Sequence, residues 1–207
     1  MKQLVNTKES AWQKRAGLSF QPDLFFLKVV RSLENLGVAW PVLGRLYRRL
    51  FYSGMLEKEF AISGLSPGMK ALHVGCGPLP MTAIFLARKN IQVTAVDLEQ
   101  DILESAGRAV RKSSLQGMIT LVRACGSRID FSGYDAIWLS LHVSPMDKVI
   151  QQALTFMDPG ARIIFRRPRG SIECFYRKMP WNSLPVNTEH REVRQALGKK
   201  SVMLKKT

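Results

Sequence analysis

One stretch constrains this chain more than any other: Lys70-Ala-Leu-His-Val-Gly-Cys-Gly-Pro-Leu-Pro-Met-Thr-Ala-Ile-Phe-Leu-Ala87. It opens apolar and β-prone, breaks at two glycines and resumes with helical spacing. Ala71, Leu72 and Val74 suit the first strand of a buried parallel sheet, where both faces are covered. Gly75 and Gly77 allow a tight turn and let a ligand approach bare backbone. Pro78 and Pro80 fit the turn and the first helical positions, where a missing N–H costs little. Ala83, Ile84, Leu86 and Ala87 give the following helix an apolar face. Strand, glycine turn and helix form the first half of a nucleotide-binding crossover.

A second strand, Ile91 to Val96, ends in Asp97, 20 positions after Gly77. A carboxylate at that offset can accept hydrogen bonds from both hydroxyls of an adenosine ribose. An α/β sheet with an ordinary tight turn and an exposed aspartate is the plainer alternative. Pro80 stands where the dinucleotide pattern wants a third glycine, and a phosphate-loop Gly-Lys-Ser is absent.

Leu72-His-Val-Gly-Cys-Gly-Pro resembles the first motif of class I S-adenosylmethionine (SAM) dependent methyltransferases, and Val93-Thr-Ala-Val-Asp97 their second. Tyr134-Asp-Ala-Ile-Trp-Leu and Met157-Asp-Pro-Gly-Ala-Arg-Ile-Ile-Phe165 resemble their fourth and fifth strands, so the resemblance covers about residues 60 to 170. It implies an α/β, Rossmann-like sheet of seven mostly parallel strands in the order 3-2-1-4-5-7-6, with helices on both faces. It also implies SAM as cofactor. The chain departs from the family at three places. His73 stands where an acid is usual, Leu79 replaces the third glycine, and neither Cys125 nor Gly126 is acidic where many relatives hold the adenine amino group. Gly75-Cys-Gly-Pro-Leu-Pro80 followed by Thr82 is similar to the loop of nicotianamine synthases. That similarity implies transfer of the aminocarboxypropyl arm of SAM instead of its methyl.

The resemblance assigns the cofactor site to Gly75, Cys76, Gly77, Pro78, Asp97, Leu98, Ser127 and Ser140. The glycine turn would meet the methionine part, Asp97 the ribose, Leu98 the adenine face and Ser127 the adenine edge. Residues 1–62 are expected to form an N-terminal helical cap and residues 63–207 the SAM-binding domain. Three short helices are expected before the first strand, the last from about Gly54 to Ser63 with Gly64 ending it. Tyr47, Tyr52, Glu57 and Glu59 fall in this cap, and a phenol and a carboxylate there can orient or deprotonate an amine acceptor. Plain surface-helix residues are the alternative. His142, just past the fourth strand, is a candidate general base near neutral pH; histidine at this place in methyltransferases also occurs with no catalytic role. The candidate catalytic residues are thus His142, Tyr52 and Glu59.

Charge is uneven. The formal net charge is +15. Residues 161–207 hold 12 basic and 3 acidic side chains, whereas residues 61–160 hold 9 and 8. A basic segment attracts anions, whether nucleic acid, phospholipid or an acidic small substrate, or it simply keeps a surface solvated. Arg166, Arg167 and Arg169 are expected to follow strand five beside the acceptor entrance, where guanidinium groups suit carboxylate or phosphate. A small, anionic acceptor is therefore favoured, with nucleic acid second, because the chain lacks the Asn/Asp-Pro-Pro-aromatic tetrad of base amino methyltransferases. A SAM-binding protein without turnover is the third reading. Cys76, Cys125 and Cys174 have no disulfide or metal spacing, which points to reduced thiols and a cytoplasmic setting with no metal. No apolar run approaches 18 residues, so no membrane span is expected. The remaining elements are expected as helices at Asp101–Lys112 and Asp147–Met157, and strands at Met118–Val122, Tyr134–Leu139 and Arg162–Phe165. A C-terminal hairpin is expected from Leu184–Glu189 and Ser201–Lys205.

Overall fold

A computed structural model describes residues 52–141, 143–168, 188–195 and 199–207. In chain order the elements are α1 (Ser53–Ser63), β1 (Lys70–Val74), α2 (Met81–Arg88), β2 (Gln92–Asp97), α3 (Gln100–Lys112), β3 (Ile119–Arg123) and β4 (Ala136–Leu139). Then follow α4 (Met146–Phe156), β5 (Arg162–Pro168), β6 (Thr188–Arg194) and β7 (Lys199–Lys206).

The strands form one seven-stranded sheet in the order β3-β2-β1-β4-β5-β7-β6, as expected. β1 to β5 run parallel, while β7 is antiparallel to both β5 and β6. Side chains alternate across the strands, so one sheet has two apolar faces. Ala71, Ala95, Trp138, Ile164 and Met203 line one face, packed with Ala83, Ile84, Leu86 and Ala87 of α2 and Leu103, Ala106, Ala109 and Val110 of α3. Leu72, Val96, Ile137, Leu139, Phe165 and Leu204 line the other, under Val149, Ile150, Ala153 and Leu154 of α4. Central strands buried on both faces explain why their sequences read as continuous apolar runs.

Helix α1 packs on the α2 side, where Tyr52, Phe60 and Ile62 reach the core and Leu56 and Leu65 are buried. Gly64 ends it in the left-handed conformation at φ 62, as expected of a C-terminal glycine. Earlier cap positions, Tyr47 among them, lie outside the described residues. No helix among the described residues is long and apolar enough to cross a membrane.

Two strands differ from expectation. β5 continues past Phe165 to Pro168, so Arg166 and Arg167 lie inside it and do not follow it. The strand continues through a charge at its fifth residue because Arg166 finds a buried acid, described below. β6 occupies Thr188–Arg194 instead of 184–189. Its sequence, Thr-Glu-His-Arg-Glu-Val-Arg, carries almost no apolar pattern. As an edge strand it is held by ladder bonds to β7 and by charge pairs. These include Lys200 Nζ to Glu192 at 2.7 Å and Lys205 Nζ to Glu189 at 3.7 Å, both from β7.

Candidate functional site

The carboxyl ends of β1, β2, β3 and β4 meet at one edge, where ligands bind in open α/β sheets. Gly75 and Gly77 adopt φ 72 and 69, a region that only glycine enters at low cost. The N–H groups of Gly75 and Cys76 both donate to the Val96 carbonyl, at 2.8 and 3.0 Å, which folds the turn back over β2. A Cβ at Gly75 would lie 2.9 Å from Val143 Cγ2, so no larger residue fits the observed turn. Cys76 and Pro78 are buried beneath it.

Asp97 is tied to this turn. Its Oδ2 accepts the Gly77 N–H at 2.9 Å, and its Oδ1 accepts the Leu98 N–H at 2.8 Å and the Glu99 N–H at 3.4 Å. The two features paired by their spacing in the sequence are therefore joined by a hydrogen bond. Beside them Leu98 is 60% exposed, an apolar surface without cover among the described residues. A glycine cradle that a Cβ would fill, a half-buried carboxylate with lone pairs beyond those used, and an open leucine face together fit an adenosyl group.

Beyond β3, the Ser127 hydroxyl lies 3.2 Å from Cys125 Sγ, and this hydrogen bond pulls the Cys125 thiol below its usual range. Gly126 passes so close to β1 that a Cβ there would lie 2.7 Å from Val74 Cγ1. At the end of β4, Ser140 Oγ lies 3.0 Å from His73 Nε2. His73 is buried and has no hydrogen-bond partner at Nδ1 among the described residues. Burial first, and the Arg166 charge second, lower its pKa from 6.5 to about 3, so the ring is neutral near pH 7.

Below the same edge, on the α2 face, lies a polar cluster centred on Glu59. This carboxylate is wholly buried. Oε1 accepts hydrogen bonds from Arg166 Nε at 2.8 Å and from the Ser201 hydroxyl at 2.6 Å. Oε2 accepts from Arg166 Nη2 at 2.8 Å and from the Trp138 indole N–H at 3.2 Å. Arg166 Nη2 also donates to Thr82 Oγ1 at 3.0 Å. Gln195 Nε2 reaches Ser201 Oγ at 3.1 Å and the Met55 carbonyl at 3.3 Å.

The sheet edge thus gathers Gly75, Cys76, Gly77, Pro78, Asp97, Leu98, Ser127 and Ser140. Tyr52 precedes α1 and is half-buried against the core. Glu59 and Arg166 are not at the open edge but paired inside. Arg167 sits half-buried near the end of β5. His142 and Arg169 lie outside the described residues. Sequence reasoning missed Thr82, Trp138, Ser201 and Gln195 as polar partners. The one signal was an arginine ending the apolar run of β5, a charge that needs an acid if the strand goes on. Among the described residues no group of three or more His, Cys, Asp or Glu is placed to hold a metal.

Residues 71–160 match the family model described as a methyltransferase domain. A curated relative, the methyltransferase GfsG of Streptomyces halstedii, is 28% identical over 115 residues, which are 53% of this chain and 41% of GfsG. The chain therefore spans about two fifths of that relative's length. Among solved structures, a point mutant of MtNAS, a nicotianamine synthase, in complex with SAM superposes with TM-score 0.77 at 20% identity, over 89% of this chain and 76% of MtNAS. MtNAS in complex with MTA and tNA gives TM-score 0.75 at 20% identity, over 89% and 74%. These likenesses establish the fold, a Rossmann-like sheet of the SAM-dependent methyltransferase kind. With the family match they support the expected resemblance, the expected cofactor and the class of SAM-dependent transferase.

Proposed function

We propose, from the match of residues 71–160 to a methyltransferase-domain model and from the geometry of the glycine turn, that this chain transfers a methyl group from SAM to a small-molecule acceptor at the carboxyl edge of its sheet. The observation that carries this reading is the Asp97–Gly77 hydrogen bond, which fixes against the glycine turn the carboxylate proposed to hold the ribose. The turn from Gly75 to Pro78 would hold the methionine part, with Ser140 bordering it. Asp97 would hold the ribose, Leu98 would cover the adenine face and Ser127 would meet its edge. Bound SAM supplies a sulfonium whose attached carbons are electrophilic. What the protein must add is alignment of the acceptor, and proximity alone supplies several kcal/mol. Tyr52 and His142 are proposed to orient or deprotonate the acceptor. Glu59 has no part in this reading as a base, because both its oxygens face donors inside the fold.

The acceptor is proposed to be anionic. Arg166 is spent on Glu59, so this reading rests on Arg167, Arg169 and the basic balance of residues 161–207. A second reading, transfer of the aminocarboxypropyl arm, has specific support. Gly-x-Gly-Pro-Leu-Pro is shared with nicotianamine synthases, and MtNAS superposes over 89% of this chain. The spent product separates the two. Incubation with SAM and cell extract, followed by mass spectrometry, yields S-adenosylhomocysteine from methyl transfer and methylthioadenosine from the alternative. Methylthioadenosine alone would overturn the first reading.

A further inference from the structure

We propose that Glu59 and Arg166 are positioning residues that couple helix α1 to the cofactor turn through Thr82. The proposal rests on the SAM-transferase reading and deepens it.

Register places the buried pair just beneath the working edge of the sheet. Trp138 of β4 pairs with Ile164 of β5, so Arg166, two residues on, stands at the level of Ser140. On the other side Arg166 pairs with Ser201 of β7. Its guanidinium is then shared. Nη2 donates at 2.8 Å to Glu59 Oε2 and at 3.0 Å to Thr82 Oγ1. Thr82 is the second residue of α2 and stands two positions after Pro80, the last residue of the turn. Pro80 precedes α2 without a side-chain cap, and the first turn of α2 holds no acidic residue. The hydroxyl of Thr82 is thus a polar side-chain hold on the end of the turn, and it is gripped by Arg166. The orientation of Arg166 is set in turn by two parallel bonds to Glu59, the geometry in which a guanidinium loses its freedom.

Glu59 belongs to α1, which begins beside Tyr52. A shift of α1 carries Glu59, Arg166 and Thr82 with it, because one carboxylate accepts donors from β4, β5 and β7 at once. Net stability does not require such a device. A buried ion pair is often replaceable by apolar residues of similar volume without loss. Apolar side chains lack direction, however, and the pair's directional bonds are what place the turn.

The test uses the 207-residue chain, SAM titration by calorimetry and thermal unfolding, with Thr82→Val, Thr82→Ser and Glu59→Gln. Thr82→Val removes the hydroxyl and keeps the shape. It is expected to weaken SAM binding about tenfold, the scale of one hydrogen bond to a charged group, with a melting temperature within a few degrees of wild type. Thr82→Ser keeps the hydroxyl and is expected to restore affinity to within about twofold. Glu59→Gln is expected to weaken SAM binding too, and adding Thr82→Val to it is expected to cost little more, since both act through one bond. Thr82→Val keeps the test open should Glu59→Gln fail to fold. Wild-type affinity in a folded Thr82→Val chain overturns the proposal alone. A wild-type chain that gives no heat with SAM overturns the transferase reading and this proposal with it.

Discussion

Replacing Asp97 by asparagine tests the candidate site with almost no change of shape. In the native chain the two carboxylate oxygens divide three backbone donors: Oδ2 takes Gly77, and Oδ1 takes Leu98 and Glu99. Asparagine has one acceptor oxygen. If that oxygen stays on Gly77, the amide nitrogen faces Leu98 and Glu99; if it flips, the nitrogen faces Gly77. At least one N–H loses its acceptor either way. A hydrogen bond to a charged group contributes about 1.5–3 kcal/mol, and solvent at this half-buried site recovers part of it. The expected loss of stability is therefore about 1–2 kcal/mol, or roughly 2–8 °C in melting temperature for a domain of this size. SAM affinity is expected to fall further, because the proposed ribose hydroxyls lose an ionised acceptor. A loss of about 1.5–3 kcal/mol there is roughly 10- to 150-fold in Kd. Calorimetric titration of the folded Asp97→Asn chain with SAM reads the second effect, and thermal unfolding without ligand reads the first. An unchanged Kd would remove Asp97 from the site. An unchanged melting temperature would refute its part in holding the turn.

Three further outcomes are expected. Glu59→Ala leaves Arg166 buried without its acid and should cost about 3–5 kcal/mol in urea unfolding, whereas Glu59→Leu with Arg166→Met should recover most of that stability; failure of the double change to recover would show that the bonds themselves hold the fold. Gly75→Ala must bear a positive φ, costing about 1–2 kcal/mol, and a contact with Val143; adding Val143→Ala should relieve the contact and leave the backbone cost, so full recovery would contradict the φ argument. His73 contributes to acid lability. Its folded pKa, about 3, lies below the unfolded value of 6.5, so the unfolded chain binds the proton more readily and stability falls as pH drops from about 6.5 towards 3, by about 1.4 kcal/mol per pH unit. His73→Gln should flatten the pH dependence of unfolding by about one proton over that window, and an unaltered slope would show that His73 protonates freely in the folded chain.

The glycine turn and its partner acid were legible because both obey local chemistry. Gly75 and Gly77 need a backbone that only glycine provides, and the length of one crossover fixes where Asp97 arrives. The parallel strands themselves were legible for a similar reason, since strands buried on both faces read as plain apolar runs; their order came from the resemblance to class I methyltransferases. What stayed hidden depends on partners distant in the chain. Nothing near Glu59 announces that Arg166, 107 residues later, will neutralise it. On its own helix Glu59 looks like a surface carboxylate, and on its own strand Arg166 looks like the start of a loop. Each is misread alone, and the pair explains both errors, including the early end assigned to β5. The edge strand β6 was misplaced because charge pairs with β7 replace the apolar alternation by which strands are recognised.

The antiparallel insertion of β7 has a consequence for the chain as it is made. Residues 199–206 leave the ribosome after β1 to β6, yet they fill the gap between β5 and β6. Until then a nascent chain with β1 to β5 assembled presents the open edge of β5. Ile163, Ile164 and Phe165 then lack their neighbours Leu204, Met203 and Val202. Glu59 also waits for the Ser201 hydroxyl. An unpaired apolar strand is a template for pairing with another chain, and transient exposure of such an edge is where aggregation begins. On this strand the charges of Arg162, Arg166 and Arg167 bracket the apolar triplet, as gatekeeper residues do. The arginines that end as structural partners thus guard the unfinished sheet during synthesis.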